Sequence, residues 1–238
     1  SYNGSVLATH DVVFVSANYR LGPFGFLYGA EPTAPGNVGF YDLVLALKWA
    51  SIIGFKFHVL IYFILFKVRE NICNFGGDKD KITMFGESAG SWAVSALLLS
   101  PESKGLFKRV IMQSGALMFN KKRPVITASE GLDLAKHTSK RVNCSDDKTW
   151  LNCLRNASPH KVLDNYTPLL MNPVTGTDFL PELSQKAFED NNFNKGMISC
   201  LYNVNVGIQK SSLWIVKRST ACYSALQFEE RLLNCRAL

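Results

Sequence analysis

The sequence predicts an α/β fold, in which a mostly parallel β-sheet carries helices on both faces. Short β-branched runs typical of buried strands alternate along the chain with segments whose apolar residues recur at helical spacing. Stretches rich in Gly and Pro separate these segments. Apolar residues make up 47% of the 238 positions and charged residues 19%, a balance typical of a globular chain. We therefore expect one domain built on a single sheet, or part of such a domain.

The predicted elements follow one another in strand–helix order, as a parallel sheet requires. In chain order they are a buried strand at 11–18, a Gly-rich closing segment at 21–26, a Gly/Pro loop at 29–39, a helix at 41–49, a strand at 81–85, a helix at 91–99, a break at 101–105 and a strand at 109–112. The open end of such a sheet is where an active site is expected.

The turn that joins the strand at 81–85 to the next helix has the sequence Gly86-Glu87-Ser88-Ala89-Gly90. A Gly-x-Ser-x-Gly pattern in this context is typical of a nucleophile elbow, in which a serine hydroxyl stands clear of the backbone. The two glycines leave room for the strand and the helix to meet. We predict that the serine is a nucleophile, and the alternative is an ordinary Gly/Ser turn.

The charge pattern indicates a solvated surface rather than a nucleic-acid partner. The formal net charge is +7, but lysines and arginines are spread along the chain, with the densest cluster at 121–123. The cysteines lack zinc-site or thioredoxin-like spacing, and no phosphate-binding loop is present. We expect no metal and no cofactor, and the sequence makes no prediction of the oligomeric state.

Cysteines and glycosylation motifs point to an oxidising compartment, so we expect a secreted, extracellular glycoprotein. The chain has six cysteines, of which Cys144 and Cys153 enclose a short polar loop and are predicted to form a local disulfide. The Asn-x-Ser/Thr sequons lie at Asn3, Asn143, Asn156 and Asn165. The alternative for the cysteines is that they are buried thiols. The alternative for a sequon is a surface asparagine that carries no glycan.

Five segments together carry a resemblance to a known family. They are 13–26 with Asn18-Tyr19-Arg20-Leu21-Gly22, then 36–42, 71–78, the turn at Ser88, and Met112-Gln113-Ser114-Gly115. In this order they resemble the type B carboxylesterase and cholinesterase family of α/β-hydrolases, over residues 2–49 and 69–196. The stretch 91–95 resembles arthropod members in particular. The resemblance implies the α/β-hydrolase fold and a small-molecule carboxylic ester as substrate.

The resemblance also implies roles for residues of the turn. Ser88 would attack the ester carbonyl and form an acyl-enzyme, with a histidine as base and an acidic residue orienting that histidine. The backbone N–H of Ala89 would donate to the oxyanion, helped by the positive end of the following helix. Glu87 would line the site, and Gly86 and Gly90 would shape the elbow.

Three further residues take positions that have structural roles in the family. The resemblance pairs Arg20 and Asp42 as a buried salt bridge. It places Ser114 where a hydrogen bond supports the catalytic acid, with plain packing as the alternative.

The chain departs from the family pattern at the remaining catalytic positions. The His-Gly-Gly segment that supplies oxyanion glycines is absent, and the acid expected shortly after Gly196 in an Asp-Glu-Gly context is missing from residues 206–214. The resemblance expects the catalytic histidine further along the chain. The four histidines lie elsewhere and are expected to be surface or core residues, and they are His10, His58, His137 and His160. Because the chain begins at Ser1 without Met or a leader, we expect a fragment.

Residues 50–67 interrupt what the resemblance predicts to be one continuous helix. They are mostly apolar, but charged and glycine residues interrupt a run already shorter than the roughly 20 residues of a membrane span. We expect no membrane association and interpret this segment as an insertion from a translated intron or gene-model error. The tail at 197–238 diverges in the same way, which leaves one partial domain over residues 1–238.

Two functions from different classes remain open at the level of sequence. The first is a serine esterase, with a cholinesterase-like preference as its narrower form. The second is a catalytically inactive cholinesterase-like binding or adhesion protein, or a non-functional fragment.

Overall fold

The computed structural model describes residues 3–49, 71–117, 125–201 and 214–216. These residues belong to two compact units. The first unit takes its residues from 1–18, 43–119 and 191–238, and the second from 19–42 and 120–190. The predicted insertion at 50–67 and most of the predicted divergent tail lie outside the described residues.

The described strands are short. In chain order they are β1 (Val15–Ser16), β2 (Tyr28–Glu31), β3 (Ala34–Pro35), β4 (Thr83–Glu87), β5 (Arg109–Gln113), β6 (Ile126–Thr127), β7 (Val174–Thr175), β8 (Met197–Leu201) and β9 (Trp214–Val216).

The described α-helices lie between these strands. They are α1 (Ser5–Ala8), α2 (Gly22–Phe26), α3 (Val38–Trp49), α4 (Ala89–Leu99), α5 (Ala128–Arg141), α6 (Trp150–Asn156), α7 (Pro159–Asn165) and α8 (Ser184–Glu189), with 3-10 helices at Ile72–Phe75, Pro101–Ser103 and Pro168–Met171.

A five-stranded sheet in the order β1-β9-β4-β5-β8 forms the centre of the first unit. Strand β5 pairs in parallel with both β4 and β8, whereas β9 runs antiparallel to its neighbours β1 and β4. Parallel strands need crossover connections, and α4 supplies the one between β4 and β5. The prediction of an α/β fold with a mostly parallel sheet is confirmed.

Helix α4 is buried around its whole circumference, since residues 93–98 are all at most 3% exposed. A helix that is apolar on all sides is typical of a protein interior. Its last turn is closed by Asn194, whose Nδ2 donates to Leu97 O at 3.2 Å and to Ser100 O at 2.7 Å. These bonds satisfy carbonyl groups that a helix end leaves without partners.

Several predicted boundaries shift by a few residues. The strand predicted at 81–85 is found at Thr83–Glu87, and the helix predicted at 91–99 already begins at Ala89. The run at 11–18 contributes only Val15 and Ser16, which pair with two residues of the short strand β9. The loop predicted at 29–39 contains part of an antiparallel hairpin, in which Glu31 pairs with Ala34.

The second unit has an aromatic cluster and an aliphatic core. Phe26 and Phe40 meet edge to face at 5.0 Å between ring centroids, and Phe179 lies 4.9 Å from Tyr41. The aliphatic core joins helices α5, α6 and α7 through the buried residues Ala135, Val142, Cys144, Trp150, Leu154 and Val162. Helix α5 begins with a capping box, in which Thr127 and Glu130 exchange hydrogen bonds between side chain and backbone.

Asn37 is a buried polar residue that joins two segments of the second unit by side-chain hydrogen bonds. It is fully buried, and its Nδ2 donates to Val174 O at 2.8 Å while its Oδ1 accepts from Val174 N at 2.9 Å. A third bond joins Nδ2 to Thr177 Oγ1 at 3.1 Å. The side chain of Asn37 therefore pairs with the backbone of Val174 in β7 as a neighbouring strand would.

We expect Asn37→Ala to lower the free energy of unfolding of the complete gene product by about 3 kcal/mol, because buried N–H and C=O groups of Val174 lose their partners. Urea denaturation measures this change. Asn191→Ala is the matched control, since Asn191 has a similar positive φ of 58° but is exposed. Equal destabilisation in both variants would show that backbone strain, not hydrogen bonding, is the cause.

Candidate functional site

Ser88 occupies the tip of the turn between β4 and α4, as the sequence motif predicts. Its backbone has φ 53° and ψ −115°, a conformation outside the regions that ordinary residues adopt. The turn is held by Ser88 N, which donates to Gln113 O at 2.9 Å, and by Trp92 N, which donates to Ser88 O at 3.1 Å. Strained backbone of this kind persists only where its surroundings enforce it, and it clusters at functional sites.

Gly86 and Gly90 allow the strand and the helix to meet at this turn. A Cβ atom added at Gly86 would lie 2.4 Å from the carbonyl carbon and oxygen of Gly90 and 2.9 Å from Ser91 N. Real side chains do not reach such distances, so only glycine fits. The close approach is the physical reason for the glycine in the motif.

The start of α4 presents donors beside Ser88. Ala89 is exposed and is the first residue of the helix, so its N–H has no acceptor within the helix. In the described part of the chain, no hydrogen-bond acceptor is assigned to this N–H or to the Ser88 hydroxyl. The helix dipole adds positive potential at the same point. Glu87 is half-buried at the end of β4.

Two serines of α4 whose roles were not predicted from the sequence hold the loop that follows β5. Ser91 Oγ donates to Gly115 O. Ser95 Oγ accepts from Leu117 N at 2.8 Å and donates to Trp92 O at 3.1 Å. The spacing of four residues places both hydroxyls on one helix face, and that is the only signal in the sequence that could have indicated their roles.

Ser114 lies at the start of this loop in a left-handed conformation, with φ 57°. The residue is half-buried, and no described residue is hydrogen-bonded to its side chain. Its predicted support of a catalytic acid remains a prediction.

No described histidine is hydrogen-bonded to Ser88. His10, His137 and His160 are exposed, and only His137 has a side-chain partner, with Nδ1 at 3.5 Å from Thr167 Oγ1. His58 and residues 206–213 of the stretch 206–214, from which the expected acid is missing, lie outside the described residues.

Arg20 and Asp42 form a bidentate ion pair within the second unit. Arg20 Nε and Nη2 donate to the two carboxylate oxygens at 2.8 and 2.7 Å, and Arg20 N donates to Oδ2 at 3.0 Å. The hydrogen bond to Asp42 raises the pKa of the Arg20 guanidinium. The pair is only partly shielded, since the Arg20 side chain is 56% exposed and that of Asp42 21%.

Cys144 and Cys153 form a disulfide with a Cα–Cα distance of 5.5 Å. Of the four sequon asparagines, Asn3, Asn143 and Asn156 are exposed and Asn165 is half-buried. Within the described ranges, no cluster of His, Cys, Asp and Glu could hold a metal ion. None of the described helices has the length and apolar character needed to cross a membrane.

Comparisons with known proteins point in one direction. A model of the carboxylesterase family matches residues 1–55 and 62–220. The match leaves out 56–61, within the predicted insertion, and extends into the tail beyond Gly196.

Three curated relatives are similar over most of this chain. Acetylcholinesterase of Danio rerio is 36% identical over 219 residues, which cover 87% of this chain and 31% of the relative. Carboxylesterase 5A of Homo sapiens is 39% identical over 201 residues, which cover 79% of this chain and 31% of the relative. Juvenile hormone esterase of Tribolium castaneum is 37% identical over 181 residues, which cover 72% of this chain and 27% of the relative. The matched region therefore spans less than a third of the length of each of these relatives.

Proposed function

The chain belongs to the carboxylesterase family, and from this premise we propose that its complete gene product hydrolyses small carboxylic esters through Ser88. The observation that carries the proposal is the backbone of Ser88, held at φ 53° and ψ −115° between β4 and α4. This conformation presents the hydroxyl at the strand end, where a parallel sheet binds its substrate.

The proposed reaction has two halves. The Ser88 oxygen attacks the ester carbonyl carbon, a base takes its proton, and the alcohol leaves with a proton to give an acyl-enzyme. Water then attacks the acyl carbon and releases the carboxylic acid. The Ala89 N–H donates to the carbonyl oxygen when it becomes negatively charged, and it needs no rearrangement because α4 holds it in place.

The resemblance expects the acid and the base of this proposal after Gly196, and the stretch 206–214 contains no acidic residue. The described histidines are exposed and are not hydrogen-bonded to Ser88, which is the observation that favours the second candidate function. In that alternative, the chain is a catalytically inactive cholinesterase-like binding or adhesion protein, or a fragment without function. We favour the esterase, because the elbow retains both its serine and the strained geometry that a purely structural turn does not need.

The substrate class is proposed as carboxylic esters in general. Relatives named acetylcholinesterase and juvenile hormone esterase indicate that the family accommodates different esters, and a cholinesterase-like preference is the narrower proposal. We also propose that the protein is secreted and glycosylated, because it combines the Cys144–Cys153 disulfide with exposed sequons.

A fluorophosphonate probe, which phosphonylates activated serines, tests the proposal on the complete gene product. We expect covalent modification that peptide mass spectrometry places on Ser88, and loss of labelling in Ser88→Ala. Ser129→Ala is the matched control, since Ser129 is an exposed serine in α5, and it should label like the wild type. A folded protein that does not react would favour the inactive binding protein.

Sequencing the mature transcript tests the assembly of the site. Amplification across residues 49–69, upstream of Ser1 and beyond Gly196 should show a message in which the codons for 50–67 are absent. The frame should continue into an Asp-Glu-Gly and a later histidine. A mature message that keeps the insertion and lacks both residues would contradict the esterase proposal.

A further inference from the structure

The sequon at Asn143 and the disulfide share consecutive residues. Asn143 and Ser145 are the acceptor and the hydroxyl residue of the sequon, and Cys144 between them is bonded to Cys153. Asn143 is exposed, whereas the side chains on either side of it are buried, with Val142 1% and Cys144 4% exposed. Glycosylation and disulfide formation therefore act on the same short stretch of chain.

The backbone around Asn143 is fixed in the folded chain. Asn143 N donates to Lys140 O at 3.0 Å, and Cys144 N donates to Ser139 O at 2.8 Å. Asn143 itself adopts a left-handed conformation with φ 65°. These contacts form the end of helix α5, so the sequon cannot straighten without breaking them.

The disulfide adds a covalent restraint to this arrangement. Cys153 belongs to α6, and Cys144, Trp150 and Leu154 pack in one buried cluster. If residues 143–145 became extended, Val142 and Cys144 would leave that cluster. Because Cys144 is bonded to Cys153, α6 would have to move as well. Before the disulfide closes, the same movement breaks only noncovalent contacts.

The other three sequons contain no cysteine, and the one at Asn3, which belongs to the first unit, serves as the internal reference. Asn156 Nδ2 donates to Asn152 O at 3.0 Å, and Asn165 Nδ2 donates to Lys161 O at 2.8 Å. Asn3 Oδ1 accepts from Ser5 N at 2.9 Å and from Ser5 Oγ at 2.5 Å. All of these interactions are local hydrogen bonds that water can replace.

We propose that closure of the Cys144–Cys153 disulfide blocks glycosylation at Asn143, so that the two modifications compete on the newly made chain. In glycosylation, Asn143 Nδ2 loses a proton and bonds to the anomeric carbon of a polyprenyl-pyrophosphate-linked oligosaccharide, and the polyprenyl pyrophosphate leaves. In closure, the two thiols lose two protons and two electrons, and the disulfide of a thiol oxidoreductase is reduced to its dithiol.

A short loop favours closure in this competition. The two cysteines are nine residues apart, and closing a loop of about 10 residues takes about 10–100 ns, so chemistry rather than chain search limits the reaction. We therefore expect only partial occupancy of Asn143. The inference rests on the proposed secretion and not on the esterase activity.

Glycopeptide mass spectrometry tests the competition on the full chain, expressed behind a secretory signal in animal cells and recovered from total lysate. We expect Cys153→Ala to raise occupancy of Asn143 about twofold or more, with occupancy of Asn3 unchanged. Cys73→Ala removes the exposed free cysteine of the described residues and should leave Asn143 unaffected. Unchanged occupancy of Asn143 in Cys153→Ala would overturn the proposal.

A second measurement leaves the sequence intact, in case Cys153→Ala misfolds. Brief treatment of expressing cells with dithiothreitol should raise occupancy of Asn143 relative to Asn3 in the wild-type chain. Conversely, Asn143→Gln should raise the fraction of chains with a closed disulfide, measured by alkylation of free thiols. Absence of glycans at all four sequons would refute the proposed glycosylation as well, whereas failure at Asn143 alone refutes only the competition.

Discussion

Replacing Ser88 with alanine is expected to lower the rate of aryl acetate hydrolysis by the complete gene product at least about 10⁴-fold, because the hydroxyl supplies the attacking atom. The residual rate would come from substrate binding and from the hydrogen bond that the Ala89 N–H donates to the carbonyl oxygen. Alanine removes one oxygen and keeps the same backbone, so the thermal unfolding midpoint should stay close to that of the wild type. A steady-state assay with a chromogenic acetate measures the rate, and calorimetry measures the midpoint.

Ser129→Ala is the control for removing an exposed hydroxyl, and it should retain wild-type turnover. Turnover that survives in Ser88→Ala would show that Ser88 is not the nucleophile. Loss of turnover with a lowered unfolding midpoint would instead assign the serine a structural role.

Gly86→Ala is expected to abolish hydrolysis and to lower the free energy of unfolding by about 3 kcal/mol. The added Cβ would lie 2.4 Å from backbone atoms of Gly90, so α4 must move away from β4. That movement changes the position of Ser88 and of the first N–H of the helix together. Urea denaturation and the chromogenic assay measure the two effects.

Gly76→Ala provides a matched glycine substitution elsewhere in the first unit. Gly76 has φ 73°, but nothing lies within 4 Å of an added Cβ, so only backbone strain of about 1 kcal/mol is expected. Hydrolysis should be unaffected in this control. Normal activity in Gly86→Ala would mean that the close approach of helix and strand does not position the nucleophile.

The elbow could be predicted from sequence because its requirements are local. A strand, a tight turn and a helix must follow one another within a few residues, and glycine is needed where the backbones touch. The same argument predicted β5, whose apolar residues form a continuous run. Boundaries were less accurate, as at β4, because strand ends depend on the partner strand and not on the run itself.

Features that depend on distant residues were not predicted. The hydrogen bonds of Ser91 to Gly115 O and of Asn37 to Val174 join positions far apart in sequence, and no local pattern indicates them. The hairpin β2–β3 was expected to be a loop because Gly and Pro dominate its sequence, although Pro35 fits an edge strand that donates no hydrogen bond there. The ion pair of Arg20 with Asp42 was expected from the resemblance, but its partial exposure was not.

The order of strands in the large sheet has a consequence for synthesis of the protein. Strand β9 lies between β1 and β4, yet it is the last of the three to leave the ribosome, with β1 at Val15–Ser16 and β9 at Trp214–Val216. The edge of β4 that β9 covers therefore stays unpaired until residues 214–216 have been made. Such an edge favours pairing with other chains, so slow completion and chaperone dependence are expected from the topology.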